Sequence, residues 1–139
     1  MQTQHGAHVA PVTIQATRTT WAGRALIGLP ALFIAVDGIM KLVQPTQVAE
    51  AMVELGYSER LTTGIGILAL ACVAVLLYRR TSILGGVLLT GFLGAAAASN
   101  ARIEAGLFPI VFPIIIATLI WAGLYLRDER VRGLIALRG

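Results

Sequence analysis

The run RALIGLPALFIAVDGIMKLV, residues 24–43, decides the fold. No charged or polar side chain interrupts residues 25–36, and then Asp37 and Lys41 appear four positions apart before the apolar pattern resumes. A spanning helix needs about 20 apolar residues, with a range of about 17–25. On such a helix Asp37 and Lys41 share a face, with the acid N-terminal to the base, the better order for an ion pair. Ionisable groups at membrane depth each cost roughly 2.5–3.5 kcal/mol on insertion scales, so they face protein or water and pair with something. These two are therefore the first candidates for a site.

Outward from this run the same pattern repeats. There are 18 uncharged residues between Arg60 and Arg79, 21 between Arg80 and Arg102, and 22 between Glu104 and Arg127. Mean hydropathy is +0.80 and charged residues make up 13% of the chain, against roughly 25% in soluble domains. A soluble four-helix protein would need a polar stripe on each helix, and residues 82–99 and 107–126 offer none. The reading is an all-α integral membrane four-helix bundle in one domain, residues 21–137. Its spans fall at about 21–43, 61–78, 82–100 and 107–126, after a disordered polar tail over residues 1–20.

The tail is polar and carries no basic residue before Arg18. A signal peptide would open with a basic region and a shorter apolar core, so the first span is read as uncleaved. Pro30 is expected to kink that span or free a backbone carbonyl, and Ala31, Ala35 and Gly38 form a small face for a neighbouring helix. Gln44-Pro45 ends it. Residues 46–56 are too short and too charged to span. Val48, Met52 and Leu55 recur at helical spacing with Glu50 and Glu54 on another side, so the segment is predicted to be a short amphipathic helix at the membrane surface. Thr46 suits its start, Gly56 the position past its end, and Tyr57 a headgroup anchor. In the third span Gly86, Thr90, Gly94 and Ala98 recur every four residues, a stripe expected to let backbones pack closely. Pro109 and Pro113 open the fourth span, Pro109 at a position where proline is well accommodated. Trp21 marks one membrane interface, and Trp121 and Tyr125 are read as interface residues where the last span ends.

Orientation follows from the basic residues. Arg18, Arg24, Arg79, Arg80, Arg127, Arg130, Arg132 and Arg138 fall on one side, eight in all, and Lys41, Arg60 and Arg102 on the other. The cytoplasmic side takes the excess, which places both termini in the cytoplasm and the protein, multi-pass, in the cytoplasmic (inner) membrane. The pI near 10 is then a topology signal and an attraction to anionic membrane lipids. It is no sign of nucleic-acid binding, because the basic residues flank spans. Cys72 is alone and reads as a small buried hydrophobe. His5 and His8 lack companion ligands, so no metal site is expected, and no residue set is read as catalytic.

The motifs carry a resemblance. Arg24, the run Gly28-Leu29-Pro30-Ala31-Leu32-Phe33, Asp37-Gly38-Ile39-Met40-Lys41-Leu42, Glu50-Ala51-Met52 and Leu55-Gly56-Tyr57 resemble the DoxX-like membrane family. So do Gly64-Ile65-Gly66-Ile67-Leu68, Arg80-Thr81, Leu84-Gly85, Leu88-Leu89-Thr90-Gly91 and Leu124-Tyr125-Leu126-Arg127-Asp128. The resemblance covers about residues 20–137. It implies a four-helix bundle of the inner membrane, with relatives that serve as subunits in quinone-linked sulfur oxidation and oxidative-stress complexes, or more distantly as assembly chaperones. Related sequences often carry a glutamate where this chain has Ala69 and a histidine where it has Asn100.

Two functions are weighed. The first is a non-catalytic subunit or scaffold that binds another membrane or membrane-associated protein or forms a homo-oligomer, with no cofactor. The second is a subunit that binds a quinone or another lipophile and supports an oxidoreductase. Such a site needs an apolar slot with a few polar groups at its mouth. Asp37, Lys41, Asn100 and Arg102 share one membrane face and are its candidate residues: Asp37 and Lys41 form a structural pair with Lys41 snorkelling to the headgroups, or Asp37 faces the bundle and holds Arg102 or Asn100. A small transporter is disfavoured, since no internal repeat or chain of intramembrane acids is evident.

Overall fold

A computed structural model describes residues 11–136, with side chains from Arg18 onward. Six helices follow one another: α1 (Pro11–Val43), α2 (Thr46–Glu54), α3 (Glu59–Leu77), α4 (Ser82–Arg102), α5 (Leu107–Arg127) and α6 (Glu129–Ile135). Four of them are long and apolar enough to cross a membrane, over Arg18–Val43, Glu59–Leu77, Ser82–Arg102 and Leu107–Arg127. The protein is a small membrane protein with a four-helix core.

The long helices form a ring in which α1 packs on α3 and α5, and α4 packs on the same two. Each of the four contacts is closed by glycine. Between α1 and α3, Gly38 and Gly66 cross so closely that a Cβ on Gly66 would stand 2.8 Å from the Gly38 carbonyl oxygen. Between α1 and α5, a Cβ on Gly123 would lie 3.0 Å from the Gly23 carbonyl oxygen. Gly85 lies against the Leu76 backbone of α3, and a Cβ on Gly86 would meet Leu124 Cδ1 of α5 at 2.7 Å. Dispersion between closely packed backbones is the main attraction available to helices in lipid. Ile27, Ile34, Leu76, Leu89, Ile120 and Leu124 fill the space these contacts enclose.

This packing corrects the expected stripe. Gly86 packs as foreseen, and Thr90 accepts a 2.8 Å hydrogen bond from Trp121 Nε1 while donating to the Gly86 carbonyl. Gly94 and Ala98, however, point out of the bundle, and nothing lies within 4 Å of a Cβ built on Gly94. The buried face of α4 runs instead through Ser82, Gly85, Gly86, Leu89, Leu93 and Ala97. A strict four-residue spacing drifts around a helix of 3.6 residues per turn, so one stripe cannot face the same neighbour along its whole length. Trp121 gives its indole N–H to Thr90, joining α5 to α4.

Two ends can be told apart. At the arginine-rich end α1 begins, α3 turns into α4, and α5 gives way to α6. The helical backbone of α1 is described from Pro11 onward, ahead of the expected start near Trp21. The rest of the expected tail, His5 and His8 included, lies outside the described residues, as does Arg138. The short helix α6, absent from the four expected spans, follows α5 directly. Asp128 caps it by accepting from the Arg130 backbone N–H at 3.0 Å, and Val131, 1% exposed, seats it in the core. At the other end α1 leaves, α2 crosses, and α3 and α5 begin. This is the Asp37 end.

Candidate ligand cavity at the Asp37 end

The Gly38–Gly66 crossing places the acid and the base. With no side chain between the two backbones, Lys41 Cβ comes within 3.1 Å of where a Gly66 Cβ would stand. The Lys41 ammonium then turns back one helical turn onto Asp37. The lysine side chain is 14% exposed and the carboxylate 40%, so the pair sits at a boundary, the base packed in and the acid facing open space. Past Lys41 the helix stops with Gln44 in a left-handed conformation (φ 50°), and its amide donates to the Glu59 carbonyl at 3.0 Å and to Thr63 Oγ1 at 2.9 Å. The end of α1 is thereby tied to the start of α3.

The helix α2 closes over this end. Pro45 takes the cap position, where it has no side-chain oxygen to offer, and Thr46 is the first helical residue. Its C-terminus is a Schellman closure. The Gly56 N–H donates to the Val53 carbonyl and the Tyr57 N–H to the Met52 carbonyl, both at 2.9 Å, with Gly56 at φ 84°. That reversal sends Tyr57 inward. Its hydroxyl meets Ser99 Oγ at 2.7 Å, whereas the amphipathic ring was read as a headgroup anchor.

Beneath α2 lies a cavity of about 690 Å³. All of α1 to α5 contribute to its lining. Ile34, Cys72, Leu93 and Ile116 make a buried apolar floor, and Phe33, Phe92 and Phe112 stand in its walls. Phe33 and Phe112 meet edge to face, with centroids 5.1 Å apart, a geometry aromatic quadrupoles favour. Asp37, Lys41, Tyr57, Ser99 and Asn100 supply the polar groups. An apolar slot of this size with a few convergent polar groups is the usual form of a small-molecule site.

Of the four residues expected to cluster, the structure brings Asp37, Lys41 and Asn100 to this cavity. Of the two pairings weighed, it makes the one within α1 and not the one across helices. Asp37 is taken by Lys41, and Asn100 Nδ2 donates to the Ala96 carbonyl of its own helix at 2.9 Å. Arg102 instead donates to the Leu55 carbonyl at the end of α2. The reason is local: the last carbonyls of a helix lack intrahelical partners and carry partial negative charge, and Arg102 is the cation in reach. It is a clamp on the roof of the cavity and not part of its lining. Sequence reasoning missed Tyr57 and Ser99, and their only signal was the Gly56 turn immediately before Tyr57. Ala69, where the resemblance leads one to expect glutamate, is wholly enclosed in the core.

The model of the DoxX-like family matches residues 25–123, most of the chain. The chain belongs to the DoxX-like family. Comparison with curated proteins and with solved structures gives no match. The matched stretch of this DoxX-like protein takes in the residues that line the cavity, from Phe33 to Ile116.

Proposed function

We propose that the protein is a non-catalytic membrane subunit that holds an amphiphilic lipophile, a quinone or a lipid of similar head chemistry, in the cavity under α2. The observation that carries this reading is the cavity's polarity gradient, from the phenylalanine walls and aliphatic floor to a mouth with an ammonium, a carboxylate, two hydroxyls and an amide. A quinone carbonyl or an ester oxygen can accept from Lys41 Nζ or the Tyr57 hydroxyl. Leu68 of α3 and Val87 and Leu88 of α4 line the cavity and are also exposed on the flank of the bundle. Those helices are pinned together at Gly85, near the arginine-rich end, so an apolar tail has a way out to lipid along their other half. As a subunit, the protein serves an oxidoreductase that uses the bound molecule, and docks on a membrane or membrane-associated partner or a second copy of itself.

The reading also sets the protein in the cytoplasmic membrane with both termini inside, supported by eight basic residues at one end against three at the other. The test is to extract lipophiles from the purified protein and quantify them by mass spectrometry. The parent is expected to retain a stoichiometric lipophile. An Ala96→Phe variant, which fills the cavity from α4, should lose it while remaining folded. Equal retention by both, or no bound lipophile in the parent, removes the reading.

A further inference from the structure

A second cavity, of about 630 Å³, lies at the arginine-rich end and differs in character from the first. Four guanidinium-bearing residues line it from three separate places: Arg79 in the turn between α3 and α4, Arg127 at the end of α5, and Arg130 and Arg132 on α6. Two of these have carboxylate partners. Arg130 Nε lies 3.2 Å from Asp128 and Arg132 Nη2 lies 3.7 Å from Glu129. Among the described residues Arg79 and Arg127 pair with no carboxylate. The turn that carries Arg79 is held by the Ser82 hydroxyl and Arg130 Nη2, which donate to the Arg79 carbonyl at 3.2 and 3.3 Å. One cavity therefore gathers four positive charges against two negative ones.

We propose that this cavity binds a phosphate-bearing anion, which a membrane presents as the headgroup of an anionic phospholipid. Planar guanidinium groups match phosphate oxygens in paired, charge-assisted hydrogen bonds. Basic pockets at the ends of membrane helices are suited to anionic headgroups. The position also fits, since Arg127 ends a membrane-spanning helix and Leu124 and Leu126 of that helix line the cavity beside it. The site is separate from the cavity at the Asp37 end, and its test is independent of what that cavity holds.

The experiment follows thermal unfolding of the full chain in mild detergent during titration with phosphatidylglycerol, phosphatidylcholine or inorganic phosphate, each against sodium chloride at matched ionic strength. Phosphatidylglycerol is expected to raise Tm saturably and phosphatidylcholine to do much less. The Arg79→Gln/Arg127→Gln double variant should bind phosphatidylglycerol roughly thirtyfold more weakly, from the loss of two basic groups near the headgroup. Arg79→Lys/Arg127→Lys should bind more nearly like the parent, and Arg18→Gln/Arg24→Gln, changed at the same end outside the cavity, should bind unchanged. If the double glutamine variant does not fold, Arg79→Gln alone carries the comparison. A saturable shift with inorganic phosphate, lost in the same variants, supports the site and identifies a soluble source. Equal shifts with both lipids, no shift beyond the salt control, or undiminished binding by the glutamine variants overturns the proposal.

Discussion

Tyr57 Oη lies 2.7 Å from Ser99 Oγ, joining the turn after α2 to α4 across the mouth of the apolar cavity. On the same side, Arg102 of α4 donates to the Leu55 carbonyl that closes α2. The short helix is thus latched twice to one long helix, through residues on either side of the Gly56 turn. A hydrogen bond of this kind contributes about 0.5–1.5 kcal/mol net, so neither latch by itself holds the bundle together. Their effect falls on the cavity.

Tyr57→Phe keeps the ring and removes the hydroxyl. We expect a Tm close to the parent's but faster loss of the co-purified lipophile during detergent washing. Ser99→Ala should do the same, and the double variant should be no worse than either single change, since both remove one interaction. Additive losses would show that the two residues act separately.

The glycines separate the observed packing from the expected stripe. A Cβ at Gly85 would overlap the Leu76 backbone, at Gly86 it would press only on the end of the Leu124 side chain, and at Gly94 it would meet open space. Gly85→Ala should therefore destabilise by about 1–3 kcal/mol, the usual cost of overpacking. Gly86→Ala should cost less. Gly94→Ala should be neutral or slightly stabilising, because alanine favours a helix interior by roughly 0.5–1 kcal/mol over glycine. Leu89, which no part of the stripe included, is fully buried, and Leu89→Ala should cost about 2–5 kcal/mol. Thermal unfolding in detergent gives the order directly.

The contrast also shows what could be read before the structure. Span number, span position and the short helix after the first span follow from charge spacing and apolar period, which depend only on local sequence. The Asp37–Lys41 pair was legible for the same reason, as an i,i+4 relation. Which face of α4 turns inward was not, because that depends on where Leu76 and Leu124 of other helices lie. Arg102 was assigned to the right end but the wrong partner, since no sequence spacing reveals that a helix end with free carbonyls crosses above it. The α6 helix was hidden by its charges. Asp128 as cap and Val131 in its first turn mark it, yet seven residues are too few for an apolar period to stand out.

The Asp37–Lys41 pair is half enclosed, so its contribution lies between the roughly 0–1 kcal/mol of exposed pairs and the roughly 3–5 kcal/mol lost when a buried pair is broken. Lys41→Met, which leaves the carboxylate without its partner, is expected to cost more stability than Asp37→Asn, whose amide oxygen can still accept from the packed-in Lys41 ammonium. The double variant should cost less than the sum of the singles. Arg102→Gln should add independently to Asp37→Asn, because Arg102 bonds to Leu55 and not to Asp37. A coupling between Asp37 and Arg102 as large as that between Asp37 and Lys41 would contradict the observed pairing.

The last prediction concerns acid. Asp128 lies outside the spans, where α5 passes into α6. Burial pushes its carboxyl up, but the hydrogen bonds from the Arg130 backbone and side chain, with the charges of Arg130 and Arg127, outweigh burial and hold it below its usual 3.8. A carboxylate lowered on folding contributes stability that is fully present above its unfolded pKa and is lost as pH falls through the folded one. Asp128→Ala removes this contribution together with the cap, a change worth about 1 kcal/mol in helix stability. The Tm difference between parent and variant should therefore hold steady from neutral pH down to about pH 5 and shrink below the ordinary carboxylate range. A difference that stays constant to pH 3 would mean that the ionised carboxylate does not anchor α6.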